Sequence, residues 1–105
     1  MAKIKALPFI LNDANFLLRV RDILQARSMF LTDHAKKRMV QRKVSSQQIL
    51  QCLQRGSIEE PAHLTIYGDW SATIGYFTGG EYVNVAVAIT KDNKGEVIIV
   101  ITMIT

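Results

Sequence analysis

The sequence changes period at Gly56. Before it, apolar residues recur three and four apart, as on one face of a helix; after it come β-branched and aromatic runs broken by glycine-rich turns. A helix repeats every 3.6 residues and a strand every two, so a segment patterned for one cannot bury a continuous face as the other. Helical patterns followed by strand patterns imply an α+β domain. The expectation is N-terminal helices packed on one face of a roughly four-stranded antiparallel sheet. A chain of 105 residues is one domain. Its apolar share of 49% supplies one core without disulfide or metal staples.

In the helical half, Asn12 and Asp13 offer caps for a helix over about 13–26, with Leu17, Val20 and Leu24 as its apolar stripe, widened by Phe16 and Ile23. Residues 1–11 suit an arm or a short edge strand, and Met29-Phe30-Leu31 reads as a brief extended link. Thr32 or Asp33 then starts a second helix over 33–43. Ser45 with Gln48 three residues on forms a capping-box pattern for a third, over 46–55, burying Ile49, Leu50, Cys52 and Leu53. Gly56 ends it, as a glycine in the left-handed cap conformation would.

In the strand half, Ser57 to Glu60 is a short strand stopped by Pro61. His63 to Tyr67 and Ser71 to Phe77 flank the turn Gly68-Asp69-Trp70, and Gly79-Gly80 makes a tight hairpin into Glu81 to Thr90. Residues 91–95 turn into a last strand over 96–105. Val83, Val85 and Val87 alternate with Asn84 and Ala86, whereas Val97 to Ile101 is continuously apolar, as in a strand covered on both sides or shielded by a helix.

Net charge is +4, and five of the 13 basic residues (Lys36, Lys37, Arg38, Arg42, Lys43) fall in the second helix. Such a local patch attracts polyanions, with nucleic acid the default partner and an acidic protein competing. The single Cys52 excludes an internal disulfide or a cysteine-rich zinc site. His34 and His63, the only histidines, lack carboxylates at ligand spacing beyond Asp33, and no phosphate-binding glycine loop or nucleophile elbow is present. Neither a metal nor a cofactor is expected. The apolar run near the start is short and broken by Pro8, and no run approaches the roughly 18 residues that cross a bilayer. The expected location is the cytoplasm.

At about 100° per residue, His34, Arg38 and Arg42 form an i, i+4, i+8 stripe beside the apolar stripe of Ala35 and Met39. Two readings are open. One is a solvated cationic face. The other is a phosphate site, in which an imidazole near neutrality by type moves a proton and two guanidiniums hold phosphate oxygens bidentately. RNA cleavage suits so small a set, because the ribose 2′-hydroxyl is itself the nucleophile. Lys36, Lys37 and Lys43 would add backbone contacts. Tyr67, Trp70, Tyr76 and Tyr82 are either stacking platforms for unpaired bases or ordinary strand packing. Thr102 is either strand composition or a hydroxyl facing the helix stripe.

His34-Ala35, Arg38-Met39 and Arg42, followed by a serine-capped helix ending at Gly56 and by Val100-Ile101-Thr102, resemble a small bacterial family. It carries a domain-of-unknown-function label and a His-Ala-x-x-Arg-Met-x-x-Arg signature, and stands near the RelE- and BrnT-like ribonuclease toxins of the barnase–EndoU–colicin group. The resemblance runs from about Phe30 to Thr102, so residues 30–105 would be a RelE-like core and residues 1–29 an extension with one helix. It implies a helix pair on a four-stranded antiparallel sheet and an RNA-directed site between them. His34, Arg38, Arg42 and Thr102 are the positions that match. The implied activity is metal-independent endoribonuclease cleavage, with an acidic antitoxin-like protein as a further partner. The alternatives are a non-catalytic module of the same fold binding RNA or a partner, and a structural subunit with no site.

Overall fold

The computed structural model describes residues 12–25, 29–91 and 97–104. The order is α1 (Asp13–Gln25), β1 (Met29–Leu31), α2 (Asp33–Arg42), α3 (Ser46–Arg55), β2 (Ser57–Leu64), β3 (Trp70–Thr78), β4 (Glu81–Lys91) and β5 (Val97–Ile104). The expected arm over 1–11, Ala26 at the end of the first helix and most of the turn after β4 lie outside the described residues.

Each helix start has a local cause. Asn12 Oδ1 accepts from the Asn15 amide at 2.8 Å, and Thr32 Oγ1 accepts from the Ala35 amide at 3.1 Å. Both arms of the Ser45–Gln48 box are made, at 3.2 and 2.9 Å. The left-handed helix end falls on Lys43 (φ 58°), whose amide donates to the Met39 and Val40 carbonyls. Gly56, expected there, is extended (φ −75°, ψ 177°). Its requirement is space: a Cβ would strike the carbonyl oxygens of Cys52 and Gly75 where the chain turns under the sheet.

The architecture is α+β, but the sheet has five strands in the order β1-β5-β4-β3-β2 and is mixed, not four-stranded and wholly antiparallel. The difference is Met29–Leu31. It is no mere link: it pairs parallel to β5, Phe30 opposite Val100, while every other pair is antiparallel. Three residues are too few to display a strand period, so only the returning last strand defines it. On the opposite edge, β2 runs through Pro61 instead of stopping there, with register irregularities between Ile58 and His63. A proline lacks a ladder donor and is tolerated on such an edge.

One sheet face carries Ala72, Ile74, Val83, Val85, Val87, Ile99, Ile101 and Ile104, all buried, against Phe16, Val20, Ile49, Cys52 and Leu53 of the helices. α1 belongs to this core. Arg21 also donates from Nε to the Leu53 carbonyl (3.1 Å) and from Nη2 to the Gly56 carbonyl (3.0 Å), partnering carbonyls that the end of α3 leaves without an intrahelical bond.

Candidate functional site

Ala35, fully buried, and Met39, packed against the core, set the rotation of α2 on the sheet. The helix therefore presents two flanks. His34, Arg38 and Arg42 follow one of them; His34 and Arg42 are exposed and Arg38 is half-buried. Thr32 N donates to the Ile101 carbonyl at 3.1 Å, the last rung between the β1 segment and β5. Beyond it the edge of β5 has no further rung from β1, and Arg38 Nε takes over, donating to the Ile104 carbonyl at 3.1 Å. Among the described residues the two Nη groups of Arg38 have no hydrogen-bond partner. This guanidinium is anchored through one nitrogen and retains the two-donor fork that fits phosphate oxygens.

Thr102 sits at a bulge, the extra residue between the pairs Val87–Ile101 and Ala86–Met103. It is exposed, and its hydroxyl donates to the Ala86 carbonyl at 3.3 Å. Thr102 thus stands two residues from the carbonyl that anchors Arg38, but its hydrogen bond goes to the neighbouring strand.

The lysines are divided. Lys36 and Lys43 line the other flank of α2, in an open groove of about 560 Å³ with Leu31, Met39, Val40 and Val44. Lys37 is exposed on the outer side of the helix. The two histidines do not meet: β2, which holds His63, is the edge opposite β1, and His63 Nδ1 lies 3.0 Å from the Pro61 carbonyl. Of the aromatic candidates, Trp70 and Tyr76 pack against the core, whereas Tyr67 and Tyr82 are exposed. Cys52 is buried with Sγ 3.4 Å from the Ile74 carbonyl. Burial, then the charge of Glu59, pushes its thiol up to about 12, so it is no nucleophile near neutral pH.

A second polar cluster, not anticipated from sequence, lies on the sheet face that none of the described helices covers. Asn84 Nδ2 donates to Glu59 Oε1 (2.9 Å), Thr73 Oγ1 donates to Glu60 Oε1 (3.0 Å), and Asn84 Oδ1 is buried with no hydrogen-bond partner among the described residues. Gly75 makes room, because a Cβ there would strike the Glu59 carboxylate and the Tyr82 hydroxyl. A glycine inside a strand is the one signal that marks such a close approach. Among the described residues no three His, Cys, Asp or Glu side chains converge as metal ligands, and no helix is long and apolar enough to cross a membrane.

The family model described as a domain of unknown function, DUF4258, matches residues 31–104. The chain belongs to that family. No curated protein and no solved structure matches it. α1 lies outside the family match although it builds the same core.

Proposed function

We propose that the flank of α2 bearing His34, Arg38 and Arg42 is an RNA phosphodiester site, and that the chain is a metal-independent endoribonuclease of the RelE/BrnT-like toxin type. The observation that carries this reading is the Arg38 anchor: Nε is held by the Ile104 carbonyl, and no described residue engages the Nη pair, one helical turn from the exposed His34. An arginine positioned before substrate arrives loses less freedom on binding phosphate. In the reaction, the 2′-oxygen bonds to phosphorus as the bond to the 5′-oxygen breaks. The proton lost by the 2′-hydroxyl and the proton gained by the leaving oxygen balance, leaving 2′,3′-cyclic phosphate and 5′-hydroxyl ends. His34 serves as base or acid in that transfer, Arg38 and Arg42 stabilise the charge that builds on the phosphorane, and Thr102 orients the strand end that holds Arg38. Lys37 extends the RNA-facing surface; Lys36 and Lys43, on the far flank, contribute less.

A second reading, a non-catalytic RNA-binding module, is favoured by His34 itself, which has no hydrogen-bond partner among the described residues to hold its ring. Incubation of the purified protein with mixed RNA in EDTA, followed by end-group analysis, separates the two. Cleavage leaving cyclic phosphate ends, with His34→Ala slower by at least about 10²-fold and RNA affinity retained, supports the enzyme. Full cleavage by His34→Ala overturns the mechanism. Salt-dependent RNA binding with no cleavage by the wild type, with a slope of roughly −0.7 per phosphate contact, selects the binding module.

A further inference from the structure

The turn between β2 and β3 is an apolar tip. Ile66 is 92% exposed and Tyr67 83%, and Leu64 beside them is exposed as well. Apolar side chains gain nothing by facing water, yet the turn that displays these is closely tied. Thr65 N donates to the Asp69 carbonyl at 2.8 Å, and the Gly68 amide donates to the Thr65 carbonyl at 3.0 Å. Thr65 Oγ1 accepts from the Tyr67 and Asp69 amides, at 3.2 and 3.3 Å. Gly68 supplies the positive φ (85°) that the turn requires. The tip is therefore held in shape before any partner arrives, which lowers the cost of inserting it.

The same chain carries a concavity of matching chemistry. The groove on the flank of α2 away from His34 is floored by Leu31, Met39, Val40 and Val44, and Val40 is 80% exposed. Lys36 and Lys43 stand on its rim, and its lining holds no carboxylate. The tip is the converse: Leu64 to Trp70 contains Asp69 and no cation. β1, which supplies Leu31, and β2, which leads into the tip, are opposite edges of the sheet, four strand spacings or roughly 19 Å apart. One chain cannot fill its own groove with its own tip.

We infer that the tip of one copy inserts into the α2 groove of a second copy, so that the chain associates head to tail. Ile66 and Tyr67 are the apolar anchors, and Asp69 comes to the lysine rim. Two tips set against each other would instead oppose Asp69 with Asp69 and leave both grooves unfilled. The contact is heterologous, with a free tip at one end of the pair and a free groove at the other. Neither surface includes His34, Arg38 or Arg42, so the inference does not rest on RNA cleavage.

Sedimentation of the purified full chain from about 10 μM to about 1 mM should show an average mass that rises with concentration. Ile66→Asp and Val40→Asp, both at exposed positions that do not threaten folding, should each weaken association by about ten-fold or more. The decisive sample is their equimolar mixture. Ile66→Asp keeps its groove and Val40→Asp keeps its tip, so the mixture should form a one-to-one dimer that grows no further. A wild type that stays monomeric throughout would overturn the inference. So would association that survives either substitution, or a mixture that fails to dimerise, since the contact would then lie elsewhere or join like to like.

Discussion

α2 and α3 are both ten residues long and both start on a hydroxyl cap, yet they do opposite work. α3 buries Ile49, Cys52 and Leu53 over β3 and β4, whereas α2 buries only Ala35 and leans on Met39. The first is held by area removed from water; the second is held at its ends and by one long side chain to the sheet edge. A helix that contributes little to the core has side chains to spare. Both receiving surfaces assigned above, for phosphate and for the tip of a second copy, are on α2.

The largest test of this contrast is truncation. Leu53→Ala should cost about 2–5 kcal/mol in denaturant unfolding, through lost burial and a residual cavity. Val40→Ala on α2 should stay within about 0.5 kcal/mol. Comparable losses at the two positions would erase the distinction.

Next is the alkaline behaviour of Cys52. Its folded-state pKa is raised from 9.0 to about 12, so the unfolded chain ionises first. Relative to Cys52→Ala, the wild type should hold its stability below pH 9 and lose it as pH climbs from 9 toward 12. The loss is on the order of a few kcal/mol. Parallel pH profiles for the two proteins would place the thiol outside the buried scaffold.

Arg38→Ala should cost about 1–2 kcal/mol, because the Ile104 carbonyl loses a charged donor. Arg38→Lys should recover part of that stability but not the hold on phosphate, since an ammonium that bonds the carbonyl has no planar fork left to present. If Arg38→Ala leaves stability unchanged, the guanidinium is not anchored and the positioning argument fails.

The smallest effects are at the caps. Ser45→Ala and Thr32→Ala should each cost about 1 kcal/mol locally. Hydrogen exchange should separate them: loss of the Thr32 cap should accelerate exchange mainly in the first turn of α2, and loss of the Ser45 cap should lower protection across the core. Identical exchange patterns would mean that the two helices open as one unit.

Much of this was legible because its causes are local. The Ser45–Gln48 box, the alternation of Val83, Val85 and Val87, and the hairpin at Gly79-Gly80, both at positive φ, rest on residues within a few positions of one another. Pro61 was misleading, because its cost depends on whether the strand is central or at an edge, and β2 is an edge. The stripe of His34, Arg38 and Arg42 was visible as a helical spacing, whereas the division of the nearby lysines between two flanks follows from the helix's rotation against the sheet. The cluster around Gly75 had only the glycine to announce it.

By itself, then, the sequence determined the three helices, their starts, most strand spans and the face of α2 that carries the histidine and the arginines, because periodicity and capping act within a turn or two. Only the tertiary structure decided that Met29–Leu31 is a fifth strand, that Arg38 is tied to a carbonyl 66 positions away, and that Lys36 and Lys43 overlook an apolar groove. Each of these depends on which residues the returning chain brings alongside. That is settled by the packing of the whole core, and no local pattern encodes it.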